Sequence, residues 1–456
     1  MIFKNSYKEK IKDYVKANKL TYYIDTMGCA MNENDSNKYA GILESMGFVK
    51  GTDELKSNLI LFNTCTVREN AENTLFGRLG RLKSKRKLED NTYIVVAGCM
   101  SEQKHIVEKI KKSYPYTDIV FGTNGMQSFP EKLFKTIVKK EKDYDYIESD
   151  GQVIEDVPII HDDQFKATVS IIYGCNNFCT YCIVPYVRGR ERSRAKEDIL
   201  KDIKDLAKKG YKEITLLGQN VNSYGKDLKN GETFGRLLEE VEKIDGIEII
   251  RFTSPHPKDF TNELIDVISK SKKTSRQIHL PLQAGSNRIL NLMNRRYTKE
   301  KYLELVSKIK EKCDNVTFST DIIVGFPGET QEDFEDTLDV VNKVKFDQIF
   351  MYIYSKRTGT KAAIMEDPIT YEEKVNRLKR LKENLKNITN ESNEKMVGKV
   401  YDLLVEGKSK TNDNYYTGRT NTNKIVIFES QDSDIGEIKK VRITKNNLWY
   451  LTGEII

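Results

Sequence analysis

Cys175, Cys179 and Cys182 stand in the run G-C-N-N-F-C-T-Y-C, three thiols within eight residues and no fourth beside them. A structural zinc site is closed by four ligands, whereas three thiolates on a cubic iron–sulfur cluster leave one iron open to bind something else. Zinc signatures bring paired C-x2-C motifs or histidines at fixed spacing. Here the four histidines, His105, His161, His256 and His279, all lie away from the trio. Iron–sulfur chemistry is the expectation. Cys29, Cys65 and Cys99 make a second incomplete trio in the N-terminal third. Two such sets point to two clusters, each with an iron free for chemistry. Cys313, at the end of a helical pattern, reads as an incidental thiol.

The elements that must position these thiols are alternating strands and helices. Strand patterns at 21–28, 58–64, 92–98 and 119–123 alternate with helical ones at 33–46, 69–87 and 101–113, which predicts a parallel sheet with covering helices. Each cysteine of the N-terminal trio falls at the carboxyl end of a predicted strand, where open parallel sheets bind ligands. Residues about 35 apart in sequence would thus converge. The acidic, aperiodic stretch 141–164 reads as a linker. Six further strand patterns follow, at 168–174, 213–218, 248–254, 277–283, 316–325 and 348–355, separated by helical segments. Six β/α units make a partial version of the parallel barrel whose chemistry sits at the strand carboxyl ends. The three-thiol run begins at the end of the first of them. A long amphipathic helix over 371–395 leads to short β-prone runs from Gly398 onward, which predict a small antiparallel β-barrel. The class is therefore α/β, divided as 1–19 leader, 20–140 N-terminal parallel-sheet domain, 141–164 linker, 165–396 partial (β/α)6 barrel plus helix, and 397–456 small barrel.

Composition narrows the function. With 456 residues, 38% hydrophobic and 31% charged, and no apolar run long enough for a bilayer, the chain is of the soluble multidomain kind. The lysine-rich first twenty residues lack the apolar stretch of a secretory signal, so the cytoplasm is the default location. Seven cysteines fit a reducing compartment where thiols act as ligands. The net charge of +7 is a mild hint of a polyanionic partner. The run 78–87 carries six positive charges and no negative one, and 188–196 carries five against one. The second follows the cluster cysteines, so Arg190, Arg192 and Arg194 are candidates for phosphate contacts. From Gly398 onward nine Lys/Arg meet eight Asp/Glu, so nucleic-acid binding there would also draw on Tyr415, Tyr416, Phe428 and Trp449, which could equally be core. Gly407-Lys408-Ser409 lacks the context of a phosphate-binding loop.

The C-x3-C-x2-C run, with Tyr181 before its last cysteine, resembles the radical S-adenosylmethionine (SAM) superfamily. The N-terminal trio and the small TRAM-like C-terminal barrel narrow the resemblance to the methylthiotransferases, and to the MiaB-type group that acts on dimethylallyladenosine in tRNA. The motifs that carry it are 63–72 (N-T-C-T-V-R-E-N-A-E), 174–194, 217–224 (L-G-Q-N-V-N-S-Y), 252–259 (F-T-S-P-H-P-K-D), 280–286 (L-P-L-Q-A-G-S) and 321–330 (D-I-I-V-G-F-P-G-E-T), and the likeness covers about residues 20–456. It implies a [4Fe-4S] cluster on Cys175, Cys179 and Cys182 that chelates S-adenosylmethionine and generates a 5′-deoxyadenosyl radical. It also implies an auxiliary [4Fe-4S] cluster on Cys29, Cys65 and Cys99 that delivers sulfur. The methylthio group would go to carbon 2 of an isopentenylated adenosine beside the tRNA anticodon. That carbon–hydrogen bond is not acidic, so a cofactor rather than side-chain acid–base work must activate it. No Ser/His/Asp arrangement competes for the role.

Cosubstrate contacts are expected at Tyr181, at Gly218, Gln219 and Asn220, at Asp321, and at Gly325 and Gly328, all near predicted strand ends. A low-potential electron donor and a monomeric state are expected too. Relatives that act on threonylcarbamoyl adenosine or on a ribosomal-protein aspartate are the enzyme alternatives. An iron–sulfur RNA-binding protein is the non-enzyme one.

Overall fold

Fully buried runs such as L-I-L-F-N-T and Y-I-V-V-A-G form the middle of a parallel sheet, as strands covered on both faces must. The computed structural model describes residues 6–66, 69–88, 91–145, 151, 153, 155–409 and 412–456. Its N-terminal region carries β1 (Thr21–Met27), β2 (Val49–Lys50), β3 (Leu59–Thr64), β4 (Tyr93–Gly98), β5 (Ile119–Phe121) and β6 (Asp143–Tyr144). They lie side by side in the order β2-β1-β3-β4-β5-β6, every pair parallel. Helices α1 (Ser6–Ala17), α2 (Ala30–Ser45), α3 (Glu69–Leu88), α4 (Lys104–Ser113) and α5 (Phe129–Lys139) cover both faces. Leu59 and Leu61 point to one core with Tyr39, Ile42 and Phe129, while Ile60 and Phe62 point to the other with Leu75, Leu79 and Ile106.

Two expectations change here. The N-terminal stretch is no bare leader: α1 buries Ile11 and Val15 in the first core. The acidic linker begins with β6, an edge strand paired to β5 through Ile119↔Asp143. Residues 67 and 68 of the N-T-C-T-V-R-E-N-A-E motif, part of the leader and part of the acidic stretch lie outside the described residues.

The central region opens with β7 (Lys166–Ser170), then a two-residue antiparallel ribbon of β8 (Ile172–Tyr173) and β9 (Arg192–Ser193) that brackets the short helix α6 (Val184–Val187). Helix α7 (Lys196–Lys208), β10 (Glu213–Leu217), α8 (Phe234–Glu242), β11 (Ile249–Phe252), α9 (Asn262–Lys270) and β12 (Gln277–His279) follow. Then come α10 (Asn287–Leu292), α11 (Lys299–Lys312), β13 (Thr317–Val324), α12 (Gln331–Val344) and β14 (Gln348–Ile353). The parallel sets β11-β10-β7 and β12-β13-β14 are joined by a parallel bridge between Ile250 and Thr274, which gives an open six-stranded half-barrel.

Helix α13 (Tyr371–Glu394) packs along β14 and leads to β15 (Val400–Lys408), β16 (Tyr415–Arg419), β17 (Ile425–Glu429), β18 (Ile438–Asn446) and β19 (Leu451–Ile455). These close a barrel in the order β15-β16-β17-β19-β18. It is not wholly antiparallel, because β17 and β19 run parallel. Tyr416 and Phe428 are core, whereas Trp449 is 52% exposed. Among the described residues no helix is long and apolar enough to cross a membrane.

Candidate active site at the strand ends

The register of the N-terminal sheet aligns its three thiols. Thr64 pairs with Met27 on one side and Gly98 on the other, so Cys65 and Cys99 leave adjacent strands at one level, with Cys29 two residues past Met27. Cys29 is the N-cap of α2, and Cys99 opens a 3₁₀ turn, Cys99–Glu102. Gly98 has φ 101°, and a Cβ there would stand 2.5 Å from Asn63 Oδ1, so only glycine admits this exit. Beneath the thiols Asn32 Nδ2 donates to Asn63 Oδ1 (3.2 Å) and to the Thr64 carbonyl (3.2 Å), while Asn63 Nδ2 donates to Ser36 Oγ (2.9 Å). These bonds tie the start of α2 to the end of β3, while the Thr26–Ser36 hydroxyl pair (2.7 Å) and Thr64 Oγ1 donating to the Ala97 carbonyl (2.8 Å) add β1 and β4. Burial pushes the Cys99 thiol up to about 12; Arg188 opposes the rise, and the thiols of Cys65 and Cys29 add to it.

The second trio is held by a loop tied at both ends. Cys175 N–H donates to the Gly189 carbonyl (3.1 Å), and Gly174 N–H donates to Gln219 Oε1 (2.6 Å). Gly174 has φ 75°, and a Cβ on it would come within 2.1 Å of the Arg190 carbonyl oxygen. Farther along, Thr180 N–H donates to the Met293 carbonyl (3.1 Å), and its hydroxyl to that of Leu292 (2.8 Å). Burial raises Cys175 to about 12 against the opposing hydrogen bonds of Asn177, and raises Cys182 further. The buried Arg295 reaches Cys179 Sγ at 3.6 Å and also donates to the Pro281 carbonyl at 2.7 Å.

The other candidates divide. Tyr181 packs against the apolar cluster of Ala284, Met293, Phe326 and Tyr354, and burial, then the Cys179 thiol, push its hydroxyl up. Gly218 is required by packing, since a Cβ would meet Ile172 Cγ2 at 2.5 Å. Gln219 buttresses the cysteine loop, as above. Asn220 donates to Asp259 (2.8 Å) and Glu191 (3.2 Å), yet its buried Oδ1 has no partner. Asp321 sits 3.4 Å from His279 Nε2. Gly325 N–H donates to Glu329 Oε2 (2.7 Å), which Arg377 also engages at 2.6 Å; Gly328 takes φ 80° in open space. Arg190 lies over the Phe178 ring at 4.4 Å on the exposed surface, and Arg192 donates to the carbonyls of Arg190 and Arg188. Arg194 departs from expectation: it is buried and engaged by Glu155, Asp202 and the Ser170 carbonyl, a structural role. The 78–87 run is also partly spent internally, Arg78 on Asp25 and Glu54, Arg86 on Asp118.

Two residues escaped the sequence reading. Arg188 was visible only as one charge in a basic run, and Arg295 carried no motif signal. His256, in the T-S-P-H-P motif, is held neutral by burial and by the cations Arg295, Lys258 and Lys226.

Among the described residues no three His, Cys, Asp or Glu side chains close around one point as ligands of a single ion do. The fit to iron–sulfur clusters rests on donor chemistry: each trio offers three soft thiols with a buried guanidinium against one sulfur, a cation suited to a thiolate-bound, negatively charged group. Residues 21–122 match an uncharacterized protein family, UPF0004; residues 169–341 match the radical SAM superfamily and 394–456 the TRAM domain. The solved radical S-adenosylmethionine methyltransferase TsrM from Kitasatospora setae is similar in fold, with a TM-score of 0.55 at 15% identity over 76% of this chain and 77% of that one. A tRNA-2-methylthio-N(6)-dimethylallyladenosine synthase of Acetivibrio thermocellus is 51% identical over 99% of this chain and 93% of its own length. One from Carboxydothermus hydrogenoformans is 49% identical over 96% and 99%. At that identity over its whole length, the chain belongs to the family of tRNA-2-methylthio-N(6)-dimethylallyladenosine synthases.

Proposed function

We propose that this enzyme attaches a methylthio group to carbon 2 of N(6)-dimethylallyladenosine beside the anticodon of tRNA. The observation that carries the reading is the 51% identity, across 99% of the chain, to a synthase named for that nucleoside. Membership of the radical SAM superfamily brings S-adenosylmethionine and a [4Fe-4S] cluster, for which Cys175, Cys179 and Cys182 are the ligands. A second [4Fe-4S] cluster belongs on Cys29, Cys65 and Cys99. When bound, the first would supply the electron that cleaves S-adenosylmethionine, and the second the sulfur.

The chain's own residues do the rest. Gly174, Gln219 and Thr180 pin the cysteine loop so that its thiols meet the mouth of the half-barrel. Asn220 Oδ1 offers an unpaired buried acceptor to a cosubstrate hydroxyl or amine. Tyr181, Asp321, Gly325 and Gly328 complete the cosubstrate contacts on this reading. Arg190 and Arg192, beyond the loop, take tRNA phosphates. A low-potential reductant, a monomeric state and a cytoplasmic location complete the reading.

The test is nucleoside mass spectrometry of tRNA from cells lacking the gene, with and without its restoration. Loss of the methylthio group, with N(6)-dimethylallyladenosine left behind and rescued by the gene, is expected. An unchanged nucleoside would overturn the substrate, and loss from threonylcarbamoyl adenosine instead would reassign it.

A further inference from the structure

The loop that leaves the second trio returns to the first. Arg188 directly follows α6, six residues after Cys182, and is 5% exposed. Its Nε donates to Cys99 Sγ at 3.1 Å and its Nη2 to Asp35 Oδ2 on α2 at 2.7 Å. Asp35 is itself buried. Around this pair, Ile183 and Val187 pack directly on Cys99, and Thr123 Oγ1 donates to the Val187 carbonyl at 2.9 Å. A segment of the half-barrel domain is therefore clamped onto a cysteine of the N-terminal domain.

A guanidinium taken out of water costs several kcal/mol unless its donors are matched. Asp35 matches one arm. The other faces sulfur, a weak acceptor as a thiol and a strong one as a thiolate. The arrangement makes physical sense when Cys99 carries negative charge. Arginine suits the position because its planar fork spans two acceptors at fixed geometry, which a lysine ammonium does not.

We propose that Arg188 is a positioning residue of the N-terminal cysteine trio, orienting Cys99 as a ligand and raising the reduction potential of the [4Fe-4S] cluster held there. The inference rests on the reading that Cys29, Cys65 and Cys99 bind such a cluster. A fixed positive charge favours the reduced, more negative state, and hydrogen bonds to ligand sulfurs act in the same direction. Because Arg188 belongs to the segment that also carries the other trio, the two sites share one stretch of backbone.

The experiment uses the full chain with Cys175→Ala, Cys179→Ala and Cys182→Ala, so that the N-terminal trio alone can take up iron. It is reconstituted anaerobically with iron and sulfide, with Arg188 intact, as Arg188→Lys, and as Arg188→Gln combined with Asp35→Asn so that no buried carboxylate is stranded. Iron and sulfide content, the electron paramagnetic resonance signal, the midpoint potential and iron loss to a chelator are measured. The double variant is expected to have a more negative potential and an iron affinity about 10- to 100-fold lower. Arg188→Lys keeps the charge but loses the fork, so it should hold its potential nearer the parent while releasing iron faster. Unchanged potential and release in the double variant would overturn the proposal. If that variant does not fold, the release rate of Arg188→Lys decides, and parent-like release overturns it. A parent that binds no iron would overturn the cluster reading itself, an outcome distinct from the failure of Arg188.

Discussion

Arg190 lies over the Phe178 ring at the surface, while Arg194, four residues on, is buried against Glu155 and Asp202. Substituting them should separate binding from folding. Arg190→Ala is expected to weaken tRNA affinity several-fold and to lower the salt slope of binding by about one, read from dissociation constants at a series of salt concentrations. Arg194→Ala should leave that slope alone and cost about 2 kcal/mol of stability in urea, because it removes the charge-assisted hydrogen bonds to Glu155 and Asp202. The thiols separate in the same way. Cys179→Ala should abolish formation of 5′-deoxyadenosine from S-adenosylmethionine, followed by chromatography. Cys65→Ala should leave it forming but stop methylthiolation of tRNA. Continued methylthiolation by the Cys65 variant would remove the N-terminal trio from the reaction.

Helix α12 shows how an element end is fixed by charge. Thr330 caps it, its hydroxyl accepting from Asp333 N–H while Asp333 accepts the Thr330 N–H at 2.8 Å. Burial alone would raise the Asp333 carboxyl, but Arg288, Ser286 and Thr330 outweigh it and hold it at about 2. A folded value below the unfolded one near 3.9 adds stability that is present above about pH 4 and lost as pH falls toward 2. Asp333→Asn should therefore cost about 1–2 kcal/mol at pH 7, the difference fading between pH 4 and 2 in urea titrations. Most strands were legible because their apolar runs end in Gly or Cys at the same register; β3, β4, β10 and β13 fall where the pattern puts them. Helix α1 was hidden, since its lysine-rich composition masks the two positions, Ile11 and Val15, that dock it. Strand β6 was hidden because an edge strand of two residues is held by backbone pairing to β5 rather than by any side-chain pattern. That Cys29, Cys65 and Cys99 would leave their strands close together was legible from their recurrence at strand ends. Arg188 and Arg295 were not, because their partners lie 89 and 116 residues away in sequence.

At the scale of the molecule, the C-terminal barrel docks at the end of the half-barrel remote from the cysteines. Asn421 meets Ser275 and Arg276 just before β12, Lys424 pairs with Asp347 just before β14, and Glu406 pairs with Lys166 at the start of β7. An RNA that touches both ends must run the length of the strands, on the order of 25 Å for eight residues. Trp449 and Tyr450, 52% and 40% exposed, stand on that remote face beside Arg419 and Lys382. Replacing both by Ala is expected to weaken tRNA binding about tenfold, within the 1–3 kcal/mol of a lost stacked base, without changing cofactor cleavage in the absence of tRNA. Equal loss in both assays would place these rings in the fold rather than on the RNA.

The two trios also differ in how much chain each must gather. Cys29, Cys65 and Cys99 meet only after two strand–helix–strand crossovers have closed, whereas Cys175, Cys179 and Cys182 are neighbours in any conformation of the chain. Each long closure costs roughly 2 kcal/mol more in chain entropy than the short ones. If 175–182 binds iron as proposed, a newly made chain could gather it there before folding, while the N-terminal trio comes together only with its sheet. On the proposed two-cluster reading the trios would fill in that order, and melting of the N-terminal sheet would release its metal in a single cooperative event.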